Sequence, residues 1–319
     1  FGTCGGCDFQ QLTYERQLAE KIGILRDALH RIGRIEHGEM AMVPSPRPLG
    51  YRTRALWHAD VASGEMGYYR RNSHDVVDIE HCPILDPRLD ATLQQFRSEL
   101  DPARFWEEKA VVEAALGSDG RVSVHSPDAA EAVGEISVEA AGERFYFDAR
   151  SFFQGNLSLG EALIQTATAG ASGTNALDLY CGVGLFSLPL ARRFAKVTCV
   201  ESNAKAIGFA RKNAEAAGLA NIEFFAEGVG NFLFGRDPGH LDFVLLDPPR
   251  AGPEKNVVQR VIKLRPKAVS YVACDPSILA RDLRRLVDGG YAIDSITALD
   301  LFPQTHHVEA VARLSIGGG

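Results

Sequence analysis

The chain has 319 residues, 45% hydrophobic and 24% charged, the balance of a soluble globular protein with room for more than one domain. No apolar run approaches about 18 residues and no signal peptide opens the chain, so a membrane span is not expected and the cytoplasm is the expected compartment. A formal net charge of -7 excludes a uniformly basic nucleic-acid-coating protein and leaves phosphate binding to a local patch.

The chain starts at Phe1, which suggests that upstream residues have been removed. The first part opens with Cys4-Gly-Gly-Cys7. A helix is predicted from Tyr14 to Arg31, because Leu18, Ile22, Leu25 and Leu29 recur at helical spacing. Strand-like runs follow at Tyr51–Ala59, Met66–Arg71 and Val76–Ile79, then a helix at Pro87–Leu100. Further strand-like segments lie at Ala110–Leu116, Arg121–Ser126 and Arg144–Asp148. Residues 1–150 therefore read as a smaller α+β domain with an antiparallel sheet.

From Ser151 the pattern alternates. Short apolar runs at Ala176–Tyr180, Lys196–Glu201, Ile222–Ala226, Phe243–Asp247, Ala268–Ala273 and Ala292–Leu299 are mostly separated by helical stretches. That alternation predicts an α/β, doubly wound, mostly parallel sheet over residues 151–319, a Rossmann-like domain. A last strand, Val308–Leu314, is expected to pair antiparallel at the end of the sheet.

The run Ala176-Leu-Asp-Leu-Tyr-Cys-Gly-Val-Gly-Leu-Phe186 reads as strand, glycine turn and helix start. Gly182 and Gly184 allow a tight turn and close approach of a ligand. Glu201 ends the next strand, where a carboxylate can accept both ribose hydroxyls. A dinucleotide site calls for a third glycine, but position 187 is serine. The G-x-G form with Asp178 before it resembles the S-adenosylmethionine loop of class I methyltransferases, against the plain alternative of a tight turn with no ligand.

The fourth strand of this part runs into Asp247-Pro-Pro-Arg250, an extended loop at the edge where open α/β sheets bind ligands. Asp-Pro-Pro-Tyr would suggest amino-group methylation; Arg250 speaks against it. Cys274 falls just past the fifth strand and before a helix, a place where a thiolate is stabilised. Uracil C5 is too weak a nucleophile for a methyl sulfonium until a thiolate adds at C6. After transfer a base must take the C5 proton. Glu309, at the start of the last strand, is the candidate base, with His306 and His307 nearby. Cys181 reads as packing and Cys199 as core.

These residues together resemble the family of RNA uracil-C5 methyltransferases, and specifically its iron–sulfur branch that modifies 23S ribosomal RNA. The likeness covers nearly the whole chain through Cys4-Gly-Gly-Cys7, Gly50-Tyr-Arg, the segment Arg71 to Pro83 with Cys82, Phe153-Gln-Gly-Asn156, Asp178 to Gly184, Asp247-Pro-Pro-Arg250, Cys274-Asp-Pro and His307-Val-Glu309. The resemblance implies a methyl transfer from S-adenosylmethionine to C5 of a uridine, with Cys274 as nucleophile and Glu309 as proton acceptor. It implies that Gln154, Tyr180, Glu201 and Asp247 contact the cofactor or the target base. It also implies that Cys4, Cys7 and Cys82 hold a [4Fe-4S] cluster whose fourth cysteine, and a small RNA-binding β-barrel, lie upstream of Phe1. A three-iron form, zinc or a metal-free segment are the alternatives for three thiols. Leu185 stands where the family usually has asparagine, and Ala273 where it usually has serine.

The segment Gly50–Arg71 interleaves Arg52, Arg54, Arg70 and Arg71 with Tyr51, Trp57, Tyr68 and Tyr69, chemistry suited to phosphates and unstacked bases. The target uridine must leave its stack, and Phe302 or Phe153 could cover it. The expected partner is RNA, 23S rRNA ahead of tRNA, and the expected state is a monomer. The competing readings are a cytidine-C5 or amino-group methyltransferase, and a non-catalytic iron–sulfur RNA-binding or redox-sensing protein. The joint presence of Cys274 and Glu309 disfavours the last.

Overall fold

The computed structural model describes residues 2–99, 109–126 and 134–317. Helix α1 (Tyr14–Ala28) starts where the Thr13 side chain accepts a hydrogen bond from the Arg16 amide. The predicted helix runs on to Arg31; instead the backbone widens into a single π turn over Leu29–Gly33, and Arg34 ends it in a left-handed conformation. Close packing fixes Gly33, where a Cβ would stand 3.0 Å from the Ala280 carbonyl. Strand β1 (Ala41–Val43) follows.

Strands β2 (Arg54–Asp60), β3 (Glu65–Tyr69), β4 (Val76–Asp78), β5 (Lys109–Leu116) and β6 (Val122–His125) form an antiparallel sheet in the order β4-β3-β2-β5-β6. Period-2 alternation puts Trp57, Ala59, Ala110 and Val112 into a core closed by Leu89 and Leu93 of helix α2 (Pro87–Ser98). Asp86 caps α2 and Pro87 sits at its first turn. Leu100, the predicted end of α2, lies outside the described residues. Strands β7 (Ile136–Ala140) and β8 (Glu143–Phe147) make a separate hairpin over Ala141 and Gly142, both at positive φ. Sequence reading finds β8 and misses β7.

The remaining chain alternates. Helix α3 (Gly160–Ala167) leads to β9 (Gly173–Leu179), α4 (Ser187–Ala191), β10 (Phe194–Glu201), α5 (Ala204–Ala216) and β11 (Ile222–Ala226). Then come α6 (Val229–Gly235), β12 (Phe243–Leu246), α7 (Val257–Leu264), β13 (Ala268–Ala273), α8 (Pro276–Asp288), β14 (Tyr291–Leu299) and β15 (Glu309–Ile316). The sheet order is β1-β14-β15-β13-β12-β9-β10-β11, every pair parallel except those made by β15. Apolar layers cover both faces.

One expectation changes here. Strand β15 does pair antiparallel, but inside the sheet between β13 and β14 rather than at its end. Six successive residues, Val308 to Arg313, include only one that is not buried, and a strand apolar on both faces belongs in the sheet interior. The outer edge beyond β14 is taken by β1, from the first part of the chain. Among the described residues, no helix is long and apolar enough to cross a membrane.

Candidate active site

Strand order reverses between the neighbours β9 and β12, which opens a crevice at their C-terminal ends. The chain leaves β9 through Tyr180, Gly182 and Gly184, all at positive φ. Tyr180 is half-buried and donates its hydroxyl to the Glu254 carboxylate. Beside Gly182 a Cβ would meet nothing within 4 Å, so that face of the turn is open. Gly184 is packed: a Cβ there would stand 3.1 Å from Leu188 Cδ1.

Glu201, at the end of β10, accepts hydrogen bonds from the Gly182 amide (3.3 Å) and the Asn203 amide (2.7 Å). Asp178 is fully buried; Ser187 donates to its Oδ2 at 2.5 Å, while its Oδ1 has no partner. Burial raises the Asp178 carboxyl to about 7; Ser187 opposes the rise and Glu201 adds to it. Asp247, just past β12, is raised to about 7 by burial and by Asp178 and Glu201. Three carboxyls thus share one crevice, and among the described residues no cation offsets the rise at Asp178 or Asp247. A cationic ligand with hydrogen-bonding hydroxyls suits the charge of such a place.

The reacting groups lie one strand further. The antiparallel register pairs Ala273 with Ala310, so Cys274 and Glu309 face each other where β13 ends and β15 begins. Burial pushes the Cys274 thiol up to about 11; Glu309 and Asp247 add to the rise, and Arg250 opposes it as a charge and a hydrogen-bond donor. Glu309 is buried, and its carboxyl is held well above the usual range by burial and Asp247, with Arg250 opposing. Thiol, two acids and one guanidinium therefore form one electrostatic cluster. Arg250 was legible only as an argument against amino-group methylation; its place beside the thiol emerges from the fold.

A cavity of about 180 Å³ opens beside the cluster, lined among others by Arg54, Phe152, Gln154, Arg250, Leu301 and Phe302. Gln154 is buried there. Of the two aromatic candidates, Phe153 is buried and stacked on Phe147 with ring centroids 4.6 Å apart, so its faces are taken. Phe302 is half-buried at the cavity wall. Phe152, missed in the sequence, is 64% exposed at the mouth with the Arg54 guanidinium over its ring. Arg54 itself donates to the carbonyls of Ala149 and Ser151.

The arginine-and-aromatic segment is only partly exposed. Tyr51 and Trp57 are core, and the Trp57 indole N–H donates to the Tyr68 hydroxyl. Tyr69 stacks on His58, and Arg70 and Arg71 are exposed along a cleft that also meets His306. His307 is held neutral, at about 4, by burial and by Arg250. Cys181 and Cys199 are both buried.

Cys4, Cys7 and Cys82 gather without closing a site. Burial pushes the Cys7 thiol up to about 11, and Cys82 and Cys4 add to it. Cys82 is itself buried in the core under the small sheet, with Cys7 packed against that core. Among the described residues, no group of three or more His, Cys, Asp or Glu side chains could hold a metal ion. The three thiols that the resemblance assigns to a cluster therefore do not build one by themselves.

A glycine turn at the switch point, a carboxylate ending the second strand and an inserted antiparallel seventh strand define a class I S-adenosylmethionine-dependent methyltransferase. Comparison with known proteins narrows the class. Residues 144–271 match the family model "Methyltransferase small domain" and residues 237–315 match "tRNA (Uracil-5-)-methyltransferase". The 23S rRNA (uracil(1939)-C(5))-methyltransferase RlmD of Alkalilimnicola ehrlichii is 32% identical over 98% of this chain and 80% of its own length. The RlmD of Pectobacterium atrosepticum is 33% identical over 98% and 78%. The crystal structure of Pyrococcus abyssi tRNA (uracil-54, C5)-methyltransferase with S-adenosyl-L-homocysteine superimposes with a TM-score of 0.75 at 28% identity, covering 97% of this chain and 85% of that one. The chain belongs to the RNA uracil-C5 methyltransferase family.

Proposed function

We propose that this chain methylates C5 of a uridine in 23S rRNA, with Cys274 as nucleophile and Glu309 as base. The observation that carries the reading is the β13–β15 register, which brings the thiol opposite a buried carboxyl, with Arg250, which lines the cavity, beside both. S-adenosylmethionine, when bound, supplies an electrophilic methyl. Gly182, Gly184, Glu201, Asp247 and Tyr180 are read as its surroundings, the acids complementing its sulfonium and ammonium charges. Gln154 is read as a contact to the uracil edge, and Phe302 and Phe152 as the aromatic surfaces for the flipped base.

The Cys274 thiolate adds to C6, and the electron pair moves to C5 and O4. C5 then takes the methyl as the bond from that methyl to the sulfonium sulfur breaks and S-adenosylhomocysteine leaves. Glu309 removes the C5 proton, the double bond reforms and the thiolate leaves C6. Arg250, beside both residues, favours each in its anionic form. Cys4, Cys7 and Cys82 take no step in this sequence. The division into residues 1–150 for RNA contact and 151–319 for catalysis is part of the same proposal, except that α1 and β1 join the core and edge of the catalytic sheet.

The test uses RNA containing 5-fluorouridine, where elimination is blocked. A denaturation-resistant adduct is expected with the cofactor present and should vanish in Cys274→Ala; an adduct that instead depends on Cys181 would overturn the assignment. Glu309→Gln should methylate ordinary RNA and accumulate the adduct, whereas normal turnover would remove Glu309 as base. Running 23S and tRNA fragments side by side identifies the substrate. The Pyrococcus abyssi relative, named for tRNA, gives the tRNA alternative its standing.

A further inference from the structure

The loop from Asp300 to Val308 joins β14 to β15. It carries Phe302 into the cavity, and Glu309 follows it directly. Its shape is not set by its own sequence: Gln304 sits at φ +69, a left-handed conformation that a side chain makes unfavourable. The contacts that hold it there come from the far end of the chain. Gln17 of α1, itself buried, donates to the Gln304 side-chain oxygen at 3.0 Å and accepts from the Gln304 amide at 2.9 Å. The same Gln17 amide donates to the carbonyls of Phe9 and Leu12. The amides of Asp8 and Phe9 both donate to the Gln304 carbonyl. The Asp8 carboxylate accepts from the His306 amide at 2.8 Å and pairs with its ring.

Lys21, one turn further along α1, is fully buried. Its ammonium pairs with the equally buried Asp300 and donates to the Phe302 carbonyl at 2.9 Å. An ammonium is expensive to bury. Here it grips both the start of the loop and the residue that lines the cavity.

We infer that Asp8, Gln17 and Lys21 are positioning residues for methyl transfer, fixing the loop that aims Phe302 into the cavity and sets Glu309 against Cys274. The N-terminal segment and α1 are thereby part of the catalytic apparatus although none of these three side chains reaches the reacting atoms. The inference rests on the proposed roles of Cys274 and Glu309, and the assay separates the two. If the wild-type protein forms no Cys274-dependent adduct with 5-fluorouridine RNA, the roles themselves fail. If it does, the variants decide the positioning claim.

The readouts are the rate of adduct formation on 5-fluorouridine RNA, which follows Cys274 and Phe302, and the rate of adduct release on ordinary RNA, which follows Glu309, both at saturating RNA and cofactor, together with the Kd for S-adenosylhomocysteine and a thermal melt for each variant. Asp8 is partly exposed, so Asp8→Ala should stay folded; it is expected to slow adduct formation by about fivefold or more, as misaligned reacting groups do. Asp8→Asn keeps an acceptor for the His306 amide and should restore the rate. Gln17→Ala, and the paired change Lys21→Met with Asp300→Asn, should slow the same step while S-adenosylhomocysteine binds as in the wild type. Folded Asp8→Ala and Gln17→Ala proteins that form adduct at the wild-type rate would overturn the inference, as would a rate loss in Asp8→Ala that Asp8→Asn does not rescue.

Discussion

Cys274 sits in surroundings that oppose its ionisation. Burial, Glu309 and Asp247 push the thiol up to about 11, and Arg250 alone pulls against them. The thiol is therefore mostly protonated near neutrality in the ligand-free protein. Its thiolate fraction climbs about tenfold for each pH unit below its pKa. Alkylation of Cys274 by iodoacetamide should accordingly accelerate about tenfold per unit between roughly pH 7 and 9, read by peptide mass spectrometry. Arg250→Gln should slow it further at any fixed pH in that window, because the one group favouring the thiolate is gone. A flat profile would mean that the thiolate already prevails at neutral pH. On the proposed placement of S-adenosylmethionine beside Asp247, its positive charge would favour the anionic forms of the acids and of the thiol alike.

At the scale of one element, the turn after β9 separates two uses of glycine. Gly182 has φ +55 and open space where a Cβ would project; Gly184 has φ +96 and a packed neighbour, Leu188. An alanine at 182 costs on the order of 1–2 kcal/mol for its left-handed backbone and clashes with nothing in the protein. Gly182→Ala should therefore leave a folded protein with a modestly lowered Tm and a clearly weakened Kd for S-adenosylhomocysteine, since the ligand is proposed to approach on that open side. Gly184→Ala adds contact with Leu188 to a less favourable φ and should lower Tm more than Gly182→Ala. Calorimetric titration and a melt on each variant check this; unchanged ligand affinity in Gly182→Ala would place the ligand elsewhere.

For the whole molecule, a net charge of -7 makes a diffuse electrostatic hold on RNA unfavourable, so phosphate contact must be local. Arg70 and Arg71 are exposed along the cleft that runs from the Cys4–Asp8 segment to His306. Arg71 is in addition anchored on the Cys7 carbonyl at 3.1 Å. Replacing both by alanine should weaken RNA binding across sequences and reduce the slope of log K against log salt by about 2, roughly one for each phosphate left without its arginine. The Kd for S-adenosylhomocysteine should not change, because the crevice proposed for it lies at the switch point between β9 and β12. Filter binding over a salt series measures the slope, and an unaltered slope would exclude this cleft as the phosphate track.

The local signals were legible because each is written in adjacent residues. The glycine turn, the acid at the end of β10, Asp247 before two prolines and the cysteine just past β13 all follow from strand–turn–helix grammar in the sequence. Period and alternation likewise announced the doubly wound sheet. What sequence could not supply is whatever depends on distant segments meeting. The interior position of β15, which brings Glu309 to Cys274, is fixed by burial on both faces of the sheet, a property of the packed sheet and not of the strand alone. Phe153 and Phe302 looked equivalent as candidate stacking residues until packing took one into the core against Phe147. The arginine-and-aromatic segment carries the chemistry for phosphates and bases along its whole length, yet hydrophobic burial claims Tyr51 and Trp57 and leaves Arg70 and Arg71 outside. Cys4, Cys7 and Cys82, which the resemblance assigns to a cluster, make no group among the described residues that could hold a metal ion, and Cys82 is committed to the core under the small sheet. The grip of Lys21 on Asp300 and Phe302 leaves no mark in either local sequence, since a buried ion pair is specified only when both ends of the chain have folded.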